Sequence, residues 1–411
     1  MTPLKTYLTF VRENAPYLLV GAILVFLSSF GQTFLIAVFA GEIRAEYGLS
    51  NGQWGLLYMV STMASAGVMI FAGGLTDIFR VRSLGVVVLL CLAMACLAMA
   101  FNTHVIGLVL VIFCLRFFGQ GMSSTISIVA ISRWFIATRG RALAISTLGF
   151  VLAEAALPVS TVWMKTYVPW RMMWVGFAVF IVIMTPILWR LLRLERTPQS
   201  STKSDSATGM DGRHWTRAQA LRHPLFWTLA PAMTLFPMFA TAFWFHQVHF
   251  AEIKGWNYLS LVAVFPLGTF AFMGSNFLFG WAVDKYGVGR LLPIYLLPYS
   301  VAFILHAFAP TIAWSALGVI LMGIAGGGQS TLPGSVWSTY YGTANIGAIK
   351  SAAVAMMVLG SAIGPGMSGA LIDAGLGFEI QLLIYSATFV IASLAMLPAI
   401  RAAQARLTAA A

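Results

Sequence analysis

Apolar runs separated by short polar stretches fill the chain, at residues 17–41, 52–73, 85–101, 106–129, 142–165 and 170–192, and again at 224–248, 258–280, 291–309, 312–336, 348–372 and 380–400. A helix needs about 20 apolar residues to cross a bilayer, and in lipid the backbone must pair its own polar groups, which a helix does. The pattern therefore predicts an all-α polytopic membrane protein. Its twelve transmembrane helices fall into an N-terminal six-helix bundle over residues 1–192 and a C-terminal one over residues 224–411. Between them, residues 193–223 read as a cytoplasmic linker. Its core from Gln199 to Ser206 has flexible-linker composition, and Thr216 to Leu221 is expected as a short helix on the membrane surface, with Arg217 and Arg222 toward lipid headgroups. Prolines within the expected helices, such as Pro231, Pro237, Pro293 and Pro298, predict bends.

The two halves repeat each other. Asp77 in Gly73-Gly74-Leu75-Thr76-Asp77 recurs 207 residues on as Asp284 in Gly280-Trp281-Ala282-Val283-Asp284. Glu42-Ile43-Arg44 recurs at 210 as Glu252-Ile253-Lys254, Gly119-Gln120 at 209 as Gly328-Gln329, and Leu148-Gly149 at 211 as Leu359-Gly360. A near-constant offset over several landmarks means duplicated halves, which predicts two pseudo-symmetric bundles and is the usual body plan of a secondary transporter.

Composition agrees. Hydrophobic residues make up 60% of the 411 and charged residues 9%, with mean hydropathy +0.88, against roughly 25% charged in soluble proteins. No water-soluble fold hides that much apolar surface. A net charge of +12 alone would suggest nucleic acid, but its distribution does not. With a cytoplasmic N-terminus, only Arg44, Lys165, Arg171 and Lys254 of the 24 Lys and Arg fall outside and Arg116 lies within the membrane; the rest are inside. That asymmetry predicts a multi-pass cell-membrane protein with both termini cytoplasmic. The first apolar run is too long for a signal-peptide core and reads as a retained span. Cys91, Cys96 and Cys114 all lie in apolar runs and read as packing residues.

Charge inside the membrane marks candidate chemistry. Arg116 sits near the middle of its span, where a cation costs at least ~2.5 kcal/mol. Glu154, on the next span, is the one acid at comparable depth. The two are expected to approach each other, directly or through water, either as a structural ion pair or as a pair in which Glu154 couples transport to protons. Gln32, Gln120, His246 and Gln329 are further polar candidates for substrate contact, with Trp244, Trp337 and Tyr341 as aromatic walls. His246 and His249 stand three apart but lack a companion acid or cysteine, so no metal is expected. No phosphate-binding loop is present, and no nucleophile, base and orienting group cluster. The expectation is a monomeric, gradient-driven transporter without cofactor, not an enzyme.

The loop from Gly73 through Asp77 to Arg82, and its copy from Gly280 through Asp284 to Arg290, resembles the signature of the major facilitator superfamily, with Arg80 where that pattern has glycine. The resemblance implies a conformational latch of Gly73, Asp77, Arg82, Gly280, Asp284 and Arg290. It also implies that Gln32, Gln120, His246 and Gln329 come from helices lining the central pathway. Leu115-Arg116-Phe117-Phe118-Gly119-Gln120-Gly121 is similar to that family's intramembrane arginine motif. The Gly-x-x-x-Gly-Pro run of its proton antiporters is missing from span 5 and matched instead by Gly360 to Pro365 in span 11.

Arg133 to Ala144 is similar to a segment of monocarboxylate and oxalate:formate-type carriers, but the basic residues those carriers keep in spans 8 and 11 have no counterpart. The substrate expected from Arg116 and this loop is a small, carboxylate-like organic anion moved together with protons by alternating access. If Glu154 neutralises Arg116, a proton-driven exporter of a neutral or amphipathic metabolite or drug fits as well. A sensor would need a signalling domain and a channel a continuous polar ring, and neither is evident.

Overall fold

In this computed structural model, the structure describes residues 3–135, 138–192 and 208–409, apart from the side chains of residues 3–8, Asp77 and Arg139. The described residues are helical and contain no strand. In chain order the first six spanning helices are α1 (Pro3–Ser28), α2 (Asn51–Ala72), α3 (Val81–Phe101), α4 (Val105–Trp134), α5 (Arg139–Met164) and α6 (Trp170–Leu191). The second six are α7 (Pro224–Phe245), α8 (Phe265–Tyr286), α9 (Leu297–Phe308), α10 (Ile312–Tyr341), α11 (Ile346–Asp373) and α12 (Phe378–Thr408). Eleven helices among the described residues are long and apolar enough to cross a membrane. The shorter α9 departs from the expected 291–309 because proline breaks the run twice: Pro293 lies in the turn after Val288–Leu291, and Pro298 sits in the first turn of α9.

The chain forms two compact units, one of residues 1–49 and 57–203, the other of residues 50–56 and 204–411. Inside each, equivalent contacts recur. Gly149 of α5 lets the backbone of α1 approach at Ala22, whose carbonyl a Cβ would strike. In the second unit Gly360 and Gly364 of α11 do the same against Thr234 and Met238 of α7. Small residues allow such close crossings of membrane helices. After the first and seventh spans the chain runs on in short helices, Ala40–Tyr47 and Gln247–Lys254. Each ends at a left-handed glycine, Gly48 (φ 63°) and Gly255 (φ 65°), as helix C-termini commonly do.

A tie between three helices also recurs, with its charges exchanged. In the first unit the Arg171 guanidinium bonds Glu46 (Nε to Oε1, 3.0 Å) and donates through Nη1 to the Ala100 carbonyl (2.6 Å). In the second, Lys254 Nζ pairs with Glu379 (2.8 Å) and donates to the Ala307 carbonyl (2.8 Å). By their contacts Lys254 answers to Glu46, 208 residues earlier, rather than to Arg44 at the offset of 210; Arg171 and Glu379 are also 208 apart, and Ala100 and Ala307 are 207 apart. Acid and base have traded places, while the carbonyl at the end of the third span is held in both.

The first span does not run unbroken over 17–41. After Ser28 come a tight turn, Ser29–Gly31, and an extended Gln32 (φ −85°, ψ 151°), before helix resumes at Thr33. Helix α4 also departs from ideal geometry, widening into a π-helix over Leu115–Ser123. These two irregularities meet. A Cβ on Gly31 would strike the Leu115 carbonyl, and one on Gly119 would strike Gly31, so only glycines permit the contact.

Candidate substrate site

Arg116 lies at that contact and is 3% exposed. The break at Gln32 gives it a partner, because Gly31, which ends the turn, offers its carbonyl to Arg116 Nη1 (3.1 Å). The same nitrogen donates to Thr33 Oγ1 (3.3 Å), which hydrogen-bonds the Tyr58 hydroxyl (2.6 Å). The Tyr58 ring, fully buried on α2, has its centroid 5.3 Å from the guanidinium carbon. Arg116 Nε is buried and has no partner, and an orphaned buried donor costs about 1–3 kcal/mol. Thr33 and Tyr58 carried no signal in the sequence, since neither is charged and they are 25 residues apart.

Glu154 makes no direct ion pair with Arg116, the first of the two expected forms of approach. It is half-buried and makes no hydrogen bond or ion pair among the described residues. Glu154 follows Phe150 by one turn on the same face of α5, and Phe150 meets the ring of Phe34 (5.8 Å) in the short helix after the break. The carbonyl and hydroxyl of Gly31 and Thr33 serve Arg116 in its place. Gln32 and Gln120 are half-buried, Gln32 in the break itself and Gln120 in the π-helix.

In the second unit the equivalent positions are uncharged, with Ala325 209 residues after Arg116 and Pro365 211 after Glu154. His246 is 2% exposed and sets Nε2 3.1 Å from the Pro365 carbonyl, joining the end of α7 to α11. His249 faces Glu252 (3.8 Å). Gln329 is buried; its Nε2 donates to the Met233 carbonyl (3.5 Å), and its Oε1 has no partner. Trp244 packs edge-on against Phe265 (4.8 Å). Trp337 and Tyr341 are fully buried and stack 6.1 Å apart beside Phe226 and Trp215. They wall a protein contact rather than an open site.

Of the latch residues, the side chain of Asp77 lies outside the described residues. Arg82 stacks 4.1 Å from the Trp189 ring centroid. Arg133, absent from the expected set, donates to the Thr76 carbonyl (2.7 Å) beside Asp77. Asp284 and Arg290 are exposed and make no ion pair among the described residues, and Gly280 has open space where a Cβ would stand. The two loops also turn differently. Gly287 ends α8 with φ 77° and ψ 152°, whereas Arg80, 207 residues earlier, holds φ −63° and ψ 139°. Arginine avoids the positive φ that glycine takes freely, so the first copy leaves its helix by an extended path.

The Major Facilitator Superfamily profile matches residues 21–365. The chain belongs to the Major Facilitator Superfamily. It is therefore a membrane transporter rather than an enzyme, and it works by alternating access. Among solved structures, this superfamily fold matches a bacterial homologue of the human lysosomal transporter Spinster, in an inward-facing and unoccupied conformation, with a TM-score of 0.71. That match covers 99% of both chains at 16% identity. The nucleoside transporter NupG matches with a TM-score of 0.69 over 93% of this chain and 98% of its own, at 14% identity. At such identities the likeness is one of fold. Comparison with curated proteins finds no match.

One cluster escaped the sequence reading because it lies in the stretch read as a linker, whose expected flexible core from Gln199 to Ser206 lies outside the described residues. Residues 208–223 dock on the second unit. Asp211 takes the Arg406 guanidinium in a fork (2.9 and 2.5 Å), and Arg406 Nη1 reaches His223 Nε2 (2.7 Å). Trp215 donates its backbone N–H to the Tyr341 carbonyl (3.0 Å) and its indole N–H to Met210 (3.1 Å). The expected surface helix forms as Arg217–Leu221, capped by Thr216 and Gln219 in a reciprocal box. Hydrogen bonding to Arg406 holds the Asp211 carboxyl below its ordinary range. Burial, followed by the Arg406 charge, pushes the His223 imidazole down.

Proposed function

We propose that this transporter moves a small, carboxylate-like organic anion together with protons, Arg116 receiving the anion and Glu154 carrying the proton. One observation supports this above the others: the guanidinium of Arg116 is buried in the first unit without a carboxylate partner. A desolvated cation held only by a carbonyl and a hydroxyl attracts an anion of matching charge. Glu154 is the complementary case, an acid at similar depth with no basic partner among the described residues, able to gain and lose a proton as its surroundings change. Loading both leaves a monoanion and a proton neutral together, which lowers the cost of moving them through a low-dielectric interior. Gln32 and Gln120 flank Arg116 in the break and the π-helix and are read as polar contacts to the substrate; His246, at the end of α7, and Gln329, the counterpart of Gln120, are read as polar contacts from the second unit. The loops around Asp77 and Asp284 are read as conformational latches.

Uptake of radiolabelled carboxylates into proteoliposomes under an imposed proton gradient tests the proposal. The wild type should accumulate its substrate with an acidic exterior, and Glu154→Gln should lose that pH dependence while still exchanging substrate. An unchanged pH profile in Glu154→Gln removes Glu154 from coupling. Accumulation of an amphipathic cation or neutral solute in place of any carboxylate would favour the exporter reading.

A further inference from the structure

The way Arg116 is held deepens the organic-anion reading, on which the following rests. Both hydrogen bonds of this guanidinium leave from Nη1, to Gly31 and Thr33. One face is covered by the Tyr58 ring. Nε has no partner although it is buried, and Nη2 makes no hydrogen bond among the described residues. A guanidinium presents Nε–H and one Nη2–H in parallel, a spacing that matches the two oxygens of a carboxylate. The chain has thus fixed one corner and one face of the group and left its forked edge unused. That is a wasteful arrangement for a structural arginine, whose interior donors are ordinarily satisfied.

We propose that the Nε–Nη2 edge of Arg116 grips the substrate carboxylate in a bidentate fork, with Thr33 and Tyr58 as positioning residues that aim the edge through Nη1. The hydroxyl pair does the aiming. Thr33 Oγ1 accepts from Nη1 and is itself fixed by the Tyr58 hydroxyl 2.6 Å away, so removing either hydroxyl frees the guanidinium to rotate while its charge stays. The broken helix contributes the remaining anchor, the Gly31 carbonyl. Selection for an anion that offers a pair of oxygens over a spherical one of equal charge follows from this geometry.

The test measures affinities of the purified full-length protein for lactate, succinate and gluconate, with chloride as the anion lacking a pair of oxygens. Arg116→Lys keeps the charge and loses the fork, and should weaken carboxylate binding by about tenfold or more while leaving chloride little changed. Thr33→Val and Tyr58→Phe should each narrow the ratio of carboxylate to chloride affinity several-fold, an effect that loosened packing alone does not produce. Carboxylate binding by Arg116→Lys at wild-type strength, or an unaltered ratio in both hydroxyl variants, overturns the fork while the anion reading stands. Failure of every carboxylate to bind the wild type, or equal binding by Arg116→Gln, defeats the anion reading itself. Should Arg116→Lys fail to fold, the affinity ratios of the two hydroxyl variants decide.

Discussion

The two halves of this transporter agree in framework and differ in chemistry. Both cross their first and fifth helices at glycine, Gly149 on Ala22 and Gly360 on Thr234, and both tie the end of the third span to the start of the sixth through a cation. Depth for depth, however, only the first half carries charge: Arg116 and Glu154 face Ala325 and Pro365 in the alignment of the repeats. The distortions follow the charge. The helix break at Gln32 and the π-helix at Leu115–Ser123 both lie around Arg116, while α10 remains α-helical through Ala325 and Gln329. π-Segments inside helices frequently mark functional sites. Duplication supplied a scaffold twice, and one copy specialised.

The outer ties teach a second lesson. With acid and base exchanged between halves, pairing across the repeat would set Glu46 against Glu379 and Arg171 against Lys254. Like charges at both contacts disfavour a swapped assembly, so the exchange encodes which segments belong together.

The asymmetry is broken most severely at its centre. Arg116→Ala makes the first half resemble the second and should cut transport by about ten- to a hundredfold, the worth of a charge-assisted bond of 1.5–3 kcal/mol. Ala325→Arg in the same background should not restore it, because the second half has no counterpart of the Gln32 break to receive the side chain. Rescue would show that depth alone matters. Next in size are the ties. Glu46→Lys sets a cation against Arg171 and should cost about 1 kcal/mol, read as a loss of roughly 2–4 °C in melting temperature. Adding Arg171→Glu should recover most of it by giving the first half the polarity of the second, and no recovery would deny the pair its role.

The smallest expected effect concerns the docked segment, which only the second half possesses. His223 titrates below its ordinary value of 6.5, so its docked form resists protonation. Stability from this group is complete above that value and declines as pH falls below it, because the undocked segment takes up the proton first. An imidazolium would meet Arg406 and Arg213, relieved only by Asp211. Asp211 behaves in the same direction at lower pH, below 3.8. Limited proteolysis near Gly209 should therefore quicken between neutral and mildly acidic pH, and His223→Gln should flatten the profile.

The framework was legible because it rests on run lengths and repeat offsets, which survive in one dimension. The Asp77 and Asp284 loops and the deep Arg116 could be read in the same way. What sequence hid were partners set by irregular backbone. No residue-type signal announces that Gln32 turns extended and bares the Gly31 carbonyl, so Glu154 was the natural direct partner for Arg116, where Gly31 and Thr33 stand instead. Nor does any spacing announce that Arg82, expected in a latch, stacks on Trp189. The polar stretch after Gly209 read as linker because its anchors, Tyr341 and Arg406, lie more than a hundred residues away.

Thermal-shift titration of the wild type beside Arg116→Ala addresses the central claim most directly, using small carboxylates, neutral solutes and amphipathic cations. The account predicts that at least one carboxylate stabilises the wild type in proportion to its concentration, that the variant does not respond, and that the other solutes act on neither. Stabilisation of both proteins alike, or a response to cations alone, would contradict it.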